Sequence, residues 1–437
     1  HVFFPYYVNL MAFFKKMGIS QNILWKSTDF YFAQENGHQP VLHFPNLPAP
    51  LHAGVAFSKL ARDIKGVSLW KMAPAALPMA WSMGASKSEL DEMDELSLGE
   101  WARRFGPWEA FKLIEPATHG LTFTPKYAIS AKVMMNWVHK ISASPEVARI
   151  GFANGGLGEI WVGSCLDYIK KKGGVYAAKQ AVTAIDIEDG KVTGVTVEGS
   201  QKKTADIYVS AMSPYALRKI LPAAAFRYDY FQDLTFFENA PSLSIQLWFD
   251  RKLTDIDVTF FSMDCIFNTY ADLSNVLPHI FKGGSMFEMV LSPADATRHL
   301  PDEIIFEKTL ADIKRLFPAA REATVKKWKV VREHQGVYRA FPGMERHRPY
   351  QRSPLSNLYL TGDYTKTHVS SGGMEAAIWT ANKCAELIAQ DKLNKQLALN
   401  TEFKMPAWNR LVRPSVMAAA GLAGLKIGRS VLRFLKR

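Results

Sequence analysis

The chain has 437 residues, 48% of them hydrophobic and 12% aromatic, and a net charge of +12 at neutral pH. That length allows two or three domains with sizeable cores. The three cysteines (Cys165, Cys265, Cys384) are too few and scattered for a disulfide framework or zinc site, and no apolar run approaches the ~18–20 residues that span a bilayer.

A reducing compartment is therefore expected, and no signal peptide opens the chain. His1 begins abruptly inside an apolar run, "HVFFPYYVNL", so the sequence reads as lacking its natural N-terminus. An amphipathic helix is expected at about Tyr7–Met17, followed by the proline-punctuated loop "FPNLPAPLHA". Residues 60–145 read as mainly helical, with N-cap serines and early acids in "SKSELDEMDELSLGEWARRFG". A further helix is expected at about Ile160–Lys171, ending at Lys-Lys-Gly-Gly. Short alternating strands follow, with "EDGK" (Glu188–Lys191) as a hairpin turn, and then "ADIYVSAMSP" as a buried strand. Residues 240–345 mix strands ("SLSIQLWFD", "GSMFEMVLSP") with one good helix, "PDEIIFEKTLADIKRLFP".

The stretch "NLYLTGDYTKTHVSSGGMEAAIWTANKCAELIAQ" (Asn357–Gln390) then carries a strand, a turn and an Ala-rich helix. Leu358–Leu360 would be a buried strand with Gly362 allowing close backbone approach. Asp363 would stand at the strand's carboxyl end, where open α/β sheets bind ligands. Gly372-Gly373-Met374 would open a helix whose free N–H groups favour an anion or an electron-rich carbonyl. An ordinary strand-turn-helix with a capping Asp fits the same spacing. Dinucleotide sites normally open with G-x-G-x-x-G near the start of the chain, and none is found there. Val182 could set its backbone against an adenine edge, although an ordinary β-hairpin is the simpler reading of the pattern around it.

No nucleophile–His couple, acid/base pair or metal cluster stands out, so no catalytic residue is assigned and no metal is expected. The histidines are dispersed. Hydride chemistry on a flavin needs positioning and electrostatics more than a protein nucleophile. After Glu402 no acid appears, whereas Lys404, Arg410, Arg413, Lys426, Arg429, Arg433, Lys436 and Arg437 all fall there. In "GLKIGRSVLRFLKR" the cations occupy one helical arc and Leu425, Ile427, Val431, Leu432, Phe434 and Leu435 the other. Such a helix suits an anionic membrane surface rather than nucleic acid; docking on the protein's own body is the alternative.

Together these motifs resemble the flavin-dependent carotenoid desaturases of the plant and cyanobacterial poly-cis type, the phytoene desaturase branch of the flavin amine oxidase group. The resemblance runs from His1 to about Gln390, through "HVFF", "LPAPL", "LWFDRKL", "YADLS", "LSPA", "VYRAFPG", "RPYQRSPLSNLYLTGDYTK" and "GMEAA". It implies an α/β fold with a discontinuous Rossmann-like FAD-binding domain interleaved with a mixed α+β substrate domain. The FAD domain would comprise residues 1–10, 146–228 and 345–392. The substrate domain would comprise 11–145 and 229–344, with 400–437 a basic membrane-associating tail.

Carried over at matching positions, the resemblance places Asp363 at the ribityl or phosphate region of FAD, with its neighbours Gly362 and Tyr364 also expected to bind the cofactor. Gly373 and Met374 would approach the isoalloxazine pyrimidine edge, Val182 would contact the adenine, and Ala211 and Pro214 would line the cofactor near the domain crossover. The G-x-G-x-x-G would lie upstream of His1, so the chain as given is expected to bind FAD poorly. Ala376 and Ala381 replace residues usual in the family, and the Lys366–Met374 turn is one residue longer. A family arginine linked to cofactor or quinone handling has Trp137, His139 and Lys140 as its nearest candidates here.

The implied reaction is desaturation of a phytoene-like C40 polyene, with hydride passing to flavin N5 and a membrane quinone as electron acceptor. A peripheral location on a bacterial cytoplasmic or plastid membrane follows, with no nucleic-acid partner, and a homo-oligomer is compatible with the sequence. The alternatives are another isoprenoid flavoenzyme (a ζ-carotene desaturase, carotenoid isomerase or squalene-derivative oxidase) or a non-catalytic membrane-bound polyene carrier.

Overall fold

A computed structural model describes residues 1–49, 51–199, 201–369, 372–408 and 411–412. The expected basic helix of the tail lies outside the described residues. The first helix, α1 (Val8–Met17), carries Lys15 and Lys16 in its last turn and ends at Gly18 in the left-handed conformation (φ +70°). Both features suit a helix C-terminus, where cations meet the negative dipole end and glycine turns the chain.

A helical layer follows, made of α2 (Leu51–Asp63), α3 (Leu69–Met83), α4 (Lys87–Glu92), α5 (Leu98–Arg103), α6 (Glu115–Thr122) and α7 (Ala131–Ile141). The serines that the sequence marks as N-caps, Ser86 and Ser97, each form a capping box with the glutamate three residues on. Leu60, Leu98, Trp101, Phe111, Met134 and Val138 are buried at the centre of this layer.

It packs on a seven-stranded sheet of order β14-β10-β13-β12-β11-β3-β4. Those strands are β3 (Asp29–Phe32), β4 (Val41–His43), β10 (Asn239–Phe249), β11 (Phe260–Phe261), β12 (Thr269–Asp272), β13 (Met286–Leu291) and β14 (Val325–Tyr338). Pairing is antiparallel except between β11 and β3. On β10 the inward set Leu243, Ile245, Leu247 and Phe249 meets Phe287, Met289 and Leu291 of β13. Ile305, Ile313 and Leu316 of α12 (Asp302–Leu316) complete that core. The short α11 (Leu273–Val276) links β12 to the chain leading into β13.

A second body carries the strands that end near the Gly-Asp turn. β9 (Tyr208–Ser210) and β15 (Leu358–Leu360) pair in parallel, Leu360 opposite Ser210. Their flanking helices are α9 (Pro214–Ile220), α10 (Asp229–Gln232) and α13 (Met374–Leu393). A three-stranded meander, β6 (Val182–Glu188), β7 (Lys191–Val197) and β8 (Gln201–Lys203), lies beside them. Its first turn is the predicted Glu188–Lys191 hairpin: Asp189 (φ +46°) and Gly190 (φ +71°) both take positive φ, as a two-residue type I′ turn requires.

The "ADIYVSAMSP" segment is strand only over Tyr208–Ser210, and Ser213 caps α9 immediately afterwards. The expected helix at Ile160–Lys171 begins in a π-helical turn over Gly158–Val162 and continues as α8 (Gly163–Lys171). A small sheet of β1 (Val2–Phe3), β5 (Gly151–Ala153) and β2 (Ile23–Trp25) joins the chain start to this region. Phe3, Leu10, Phe14 and Ile160 form its core, against which Met374 and Ile378 of α13 also pack.

Candidate functional site

Leu358, Tyr359 and Leu360 are all buried, which fixes the carboxyl end of β15 in the middle of the fold. Gly362 follows with φ +135°, and a Cβ there would come within 2.8 Å of the Tyr364 ring. Only glycine fits that step. The Asp363 Oδ2 accepts the Gly373 N–H at 2.9 Å. Gly373, at φ +107°, is the N-cap of α13, and Met374 is the first helical residue. A Cβ on Gly372 would lie 2.8 Å from the same Asp363 oxygen, so main chain wraps the carboxylate where side chains cannot.

Thr380, in the second turn of α13, locks the two ends together. Its Oγ1 accepts the Gly362 N–H at 3.2 Å and donates to the Gly362 carbonyl at 3.1 Å. Gly362, Asp363, Gly373 and Met374 thus converge at one turn. Ala211 lies beside them, because the Thr361 N–H bonds the Ser210 carbonyl across the parallel pair. Pro214 opens α9, capped by Ser213 (Ala216 N–H to Ser213 Oγ, 3.3 Å). Val182 begins β6 on the separate meander, joined to α9 and β15 through a shared core of Ile185, Tyr215, Leu217, Leu358 and Leu360. Tyr364 is buried in that core.

Burial pushes the Asp363 carboxyl above the usual carboxylate range, against the pull of the Gly373 N–H and of Arg348. Burial also pushes up the phenols of Tyr215, Tyr338 and Tyr364, and the charge on Asp363 adds to each. The hydroxyls of these three tyrosines and of Ser210 are buried and have no hydrogen-bond partner among the described residues. Buried polar groups are nearly always satisfied. A buried acid beside unpartnered hydroxyls and a glycine-lined turn therefore fits a ligand rich in hydroxyl and phosphate oxygens. The sugar–phosphate part of FAD has that chemistry, and the positive end of α13 suits an electron-rich carbonyl.

Sequence reasoning assigned no role to Arg348, which holds this turn in shape. Its guanidinium is fully buried and donates to the carbonyls of Asp363 (2.8 Å), Tyr364 (3.3 Å) and Thr365 (2.7 Å), and to Glu345 (2.7 Å). Gln351 adds bonds to Thr365 Oγ1 (3.1 Å) and the Lys366 carbonyl (2.8 Å). Both belong to the "RPYQ" stretch, which is legible as a family signature but not as a clamp. Glu375 was missed as well. Its carboxylate accepts the N–H groups of Asn9 (3.1 Å) and Leu10 (2.8 Å) and the Asn9 side-chain amide (2.8 Å). It thereby pins α13 to the first turn of α1.

Away from this turn, α2, α3 and the segment Ala110–Ile114 enclose an apolar groove of about 630 Å³. Met72, Met79, Met83, Phe57 and Phe111 line it, with alanines between them. Phe57, Leu113 and Ile114 also border a small aromatic cavity that reaches Trp137 on α7. Of the remaining residues expected to handle an acceptor, His139 bonds the Met83 carbonyl (2.9 Å), and Lys140 lies 5.6 Å from the Tyr6 ring centroid.

The sequence profile of the flavin containing amine oxidoreductase family matches residues 1–389. The chain belongs to that family. It is a flavin-dependent oxidoreductase, and FAD is its cofactor. Among individual relatives, it is 30% identical over 413 residues to a 15-cis-phytoene desaturase of Synechococcus elongatus, covering 91% of this chain and 86% of that protein. It is 28% identical over 404 residues to the chloroplastic/chromoplastic 15-cis-phytoene desaturase of Solanum lycopersicum, covering 90% of this chain and 69% of that one. The fold is similar to that of cyclohexylamine oxidase from Brevibacterium oxydans (TM-score 0.62, 15% identity, 90% of this chain and 88% of that one).

Proposed function

We propose that the protein is a desaturase of a long C40 polyene of the phytoene type. The observation that carries this reading is the 30% identity to a cyanobacterial 15-cis-phytoene desaturase across nine-tenths of the chain. The apolar groove between α2 and α3 supports it, since a hydrocarbon offers nothing else to recognise. The chemistry that FAD supplies when bound is removal of an allylic hydride at N5, while a proton leaves the neighbouring carbon. Electron balance then needs a two-electron acceptor, and a membrane quinone becoming a quinol fills that place.

The chain's own residues position and exclude. Asp363, with Gly362 and Tyr364 around it, holds the ribityl or phosphate region, and Gly373 and Met374 present the start of α13 to the pyrimidine edge. Ala211 and Pro214 line the crossover, and Val182 serves the adenine. In this reading the flavin-binding body comprises residues 1–10, 146–228 and 345–392, and the substrate body 11–145 and 229–344. Holding the reacting bond over the flavin accounts for most of the rate.

The protein works at a membrane surface. Leu51, Val55 and Trp70 stand exposed on α2 and α3, and Lys59, Arg62, Lys65 and Lys71 are exposed on the same stretch. Apolar side chains interleaved with cations suit an anionic bilayer interface, and no described helix is long and apolar enough to cross a membrane. The test is reconstitution in liposomes with phytoene, FAD and a quinone. The expected result is polyenes absorbing at longer wavelength and stoichiometric quinol. A flavin-loaded protein that leaves phytoene unchanged overturns the proposal.

A further inference from the structure

The apolar groove and the small aromatic cavity behind it share a wall made by Phe57, Leu113 and Ile114. The groove, at about 630 Å³, has the size of a site for a drug-like molecule, and an extended C40 chain is longer than such a site. On the far side of the wall the space measures about 30 Å³. Phe30, Phe44 and Phe261 bound it from the sheet, and Trp137 and Ile141 from α7. Such a space holds a few atoms at most, so a long chain that has filled the groove advances only if the wall moves.

The wall residues differ in their freedom to move. Leu113 and Ile114 are buried in the core of the helical layer, where close packing holds a side chain in place. Phe57 is half-buried and meets the buried Phe44 ring edge-on, with centroids 6.3 Å apart and planes at 88°. On a helix a long side chain leans back over the residues three and four positions earlier. For Phe57 those are Gly54 and Ala53 of α2, both of which line the groove. A Cβ built on Gly54 meets nothing within 4 Å. One turn back from the Phe57 ring there is thus empty space on the groove side, into which the ring can turn.

We propose that Phe57 is a gate that sets specificity: linear isoprenoid chain ends pass from the groove into the interior, and cyclised ends are held outside. The gate rests on the desaturase reading, which makes a long hydrocarbon the molecule that enters. A linear end needs only the width of a methyl-branched chain, which the turned ring clears. A substituted six-membered ring is wider in two directions and collides with the fixed Leu113 and Ile114. Phe57, Leu113 and Ile114 offer no side-chain hydrogen bond, so cross-section is the property this wall can select on, and it selects by clash.

The probes are methyl parinarate, a linear tetraene, and retinyl acetate, whose polyene ends in a substituted cyclohexene ring. Both quench tryptophan fluorescence, and the part of the quenching that Trp137→Phe abolishes reports arrival behind the wall. In stopped-flow mixing with the full chain, the linear probe is expected to arrive roughly tenfold or more faster, the discrimination that a misfit of about one methylene gives in an apolar site. In Phe57→Ala the two rates converge. Gly54→Leu fills the space into which the ring turns and slows the linear probe roughly tenfold. It removes a glycine from a helix interior, so its melting temperature stays at or above the parent's, and it decides the matter if Phe57→Ala does not fold. Equal arrival of both probes in the parent, an unchanged ratio in Phe57→Ala or an unchanged linear rate in Gly54→Leu overturns the gate. Turnover is not part of this readout. A flavin-loaded protein that converts phytoene while the Phe57→Ala ratio stays unchanged refutes the gate alone, and a converged ratio with phytoene left intact refutes the desaturase reading alone.

Discussion

Asp363→Asn separates the two consequences of burying an acid beside the start of α13. The amide keeps the shape and an oxygen for the Gly373 N–H, which now lies 2.9 Å from the carboxylate. Only the charge is lost. Charge-assisted hydrogen bonds are worth about 1.5–3 kcal/mol against about 1 for neutral ones. Flavin affinity is therefore expected to fall about tenfold for each ligand hydroxyl that the carboxylate accepts.

Without flavin the sign reverses. The carboxyl is held above its usual value by burial, so its stabilising contribution is present below the unfolded-state pKa and is lost as pH rises through the folded one. At pH 8 the parent then carries a buried charge that the amide lacks, a penalty of about 1–3 kcal/mol with the Gly373 N–H and Arg348 partly offsetting it. An unfolding entropy of about 2.1 cal/mol/K per residue makes that roughly 1–3 °C in a chain of this length. Flavin-stripped Asp363→Asn should melt higher than the parent at pH 8, with the gap closing toward about pH 4. Thermal melts across pH, with titration of FAD by flavin fluorescence, measure both effects. An amide variant that binds FAD as tightly as the parent, or that melts lower at pH 8 when stripped, refutes the reasoning.

Arg348→Met removes four hydrogen bonds around one turn and leaves Glu345 with Lys132 alone; a loss of about 3–5 kcal/mol is expected as a lower urea midpoint. Arg348→Lys is not expected to rescue it, because a point ammonium cannot reach three carbonyls and a carboxylate from one plane. Glu375→Ala strands the first-turn N–H groups of α1 and should cost about 2–3 kcal/mol, with faster amide exchange at Asn9 and Leu10. Gly362→Ala forces a side chain into φ +135° against the Tyr364 ring, costing about 1–3 kcal/mol of backbone strain. Melting and flavin content should fall together in that variant.

The turn was legible because its parts are local in sequence. A three-residue apolar strand, a Gly-Asp step and a glycine pair before an Ala-rich helix each follow from chain geometry over a dozen residues, and the structure joins Asp363 to Gly373 directly. The Asp189–Gly190 hairpin was legible for the same reason. What escaped is non-local. Arg348 and Glu375 look like ordinary charged residues until the chain folds back. One then meets three carbonyls in a row, and the other meets a helix start 365 residues away in sequence. The small β1-β5-β2 sheet, joining Val2 to Phe152, gives no periodic signal at two and three residues per strand. The Lys366–Met374 turn, expected to be one residue longer than in relatives, contains Ser370 and Ser371, which lie outside the described residues.

Those non-local contacts share one physical purpose. Glu375 sits one residue inside α13, immediately after the Gly373–Met374 step, and Asn9 bonds both Glu375 (2.8 Å) and the Thr401 carbonyl (2.9 Å). The helix start proposed to face the flavin is thereby clamped between α1 and the segment that returns after α13. A dipole acts on a ligand carbonyl only if its N–H groups are held at the right place before the ligand arrives. In a family that assigns its redox chemistry to the cofactor, that rigidity is what the protein contributes. It also explains why the Asp363 turn spends a fully buried arginine on main-chain carbonyls instead of on substrate.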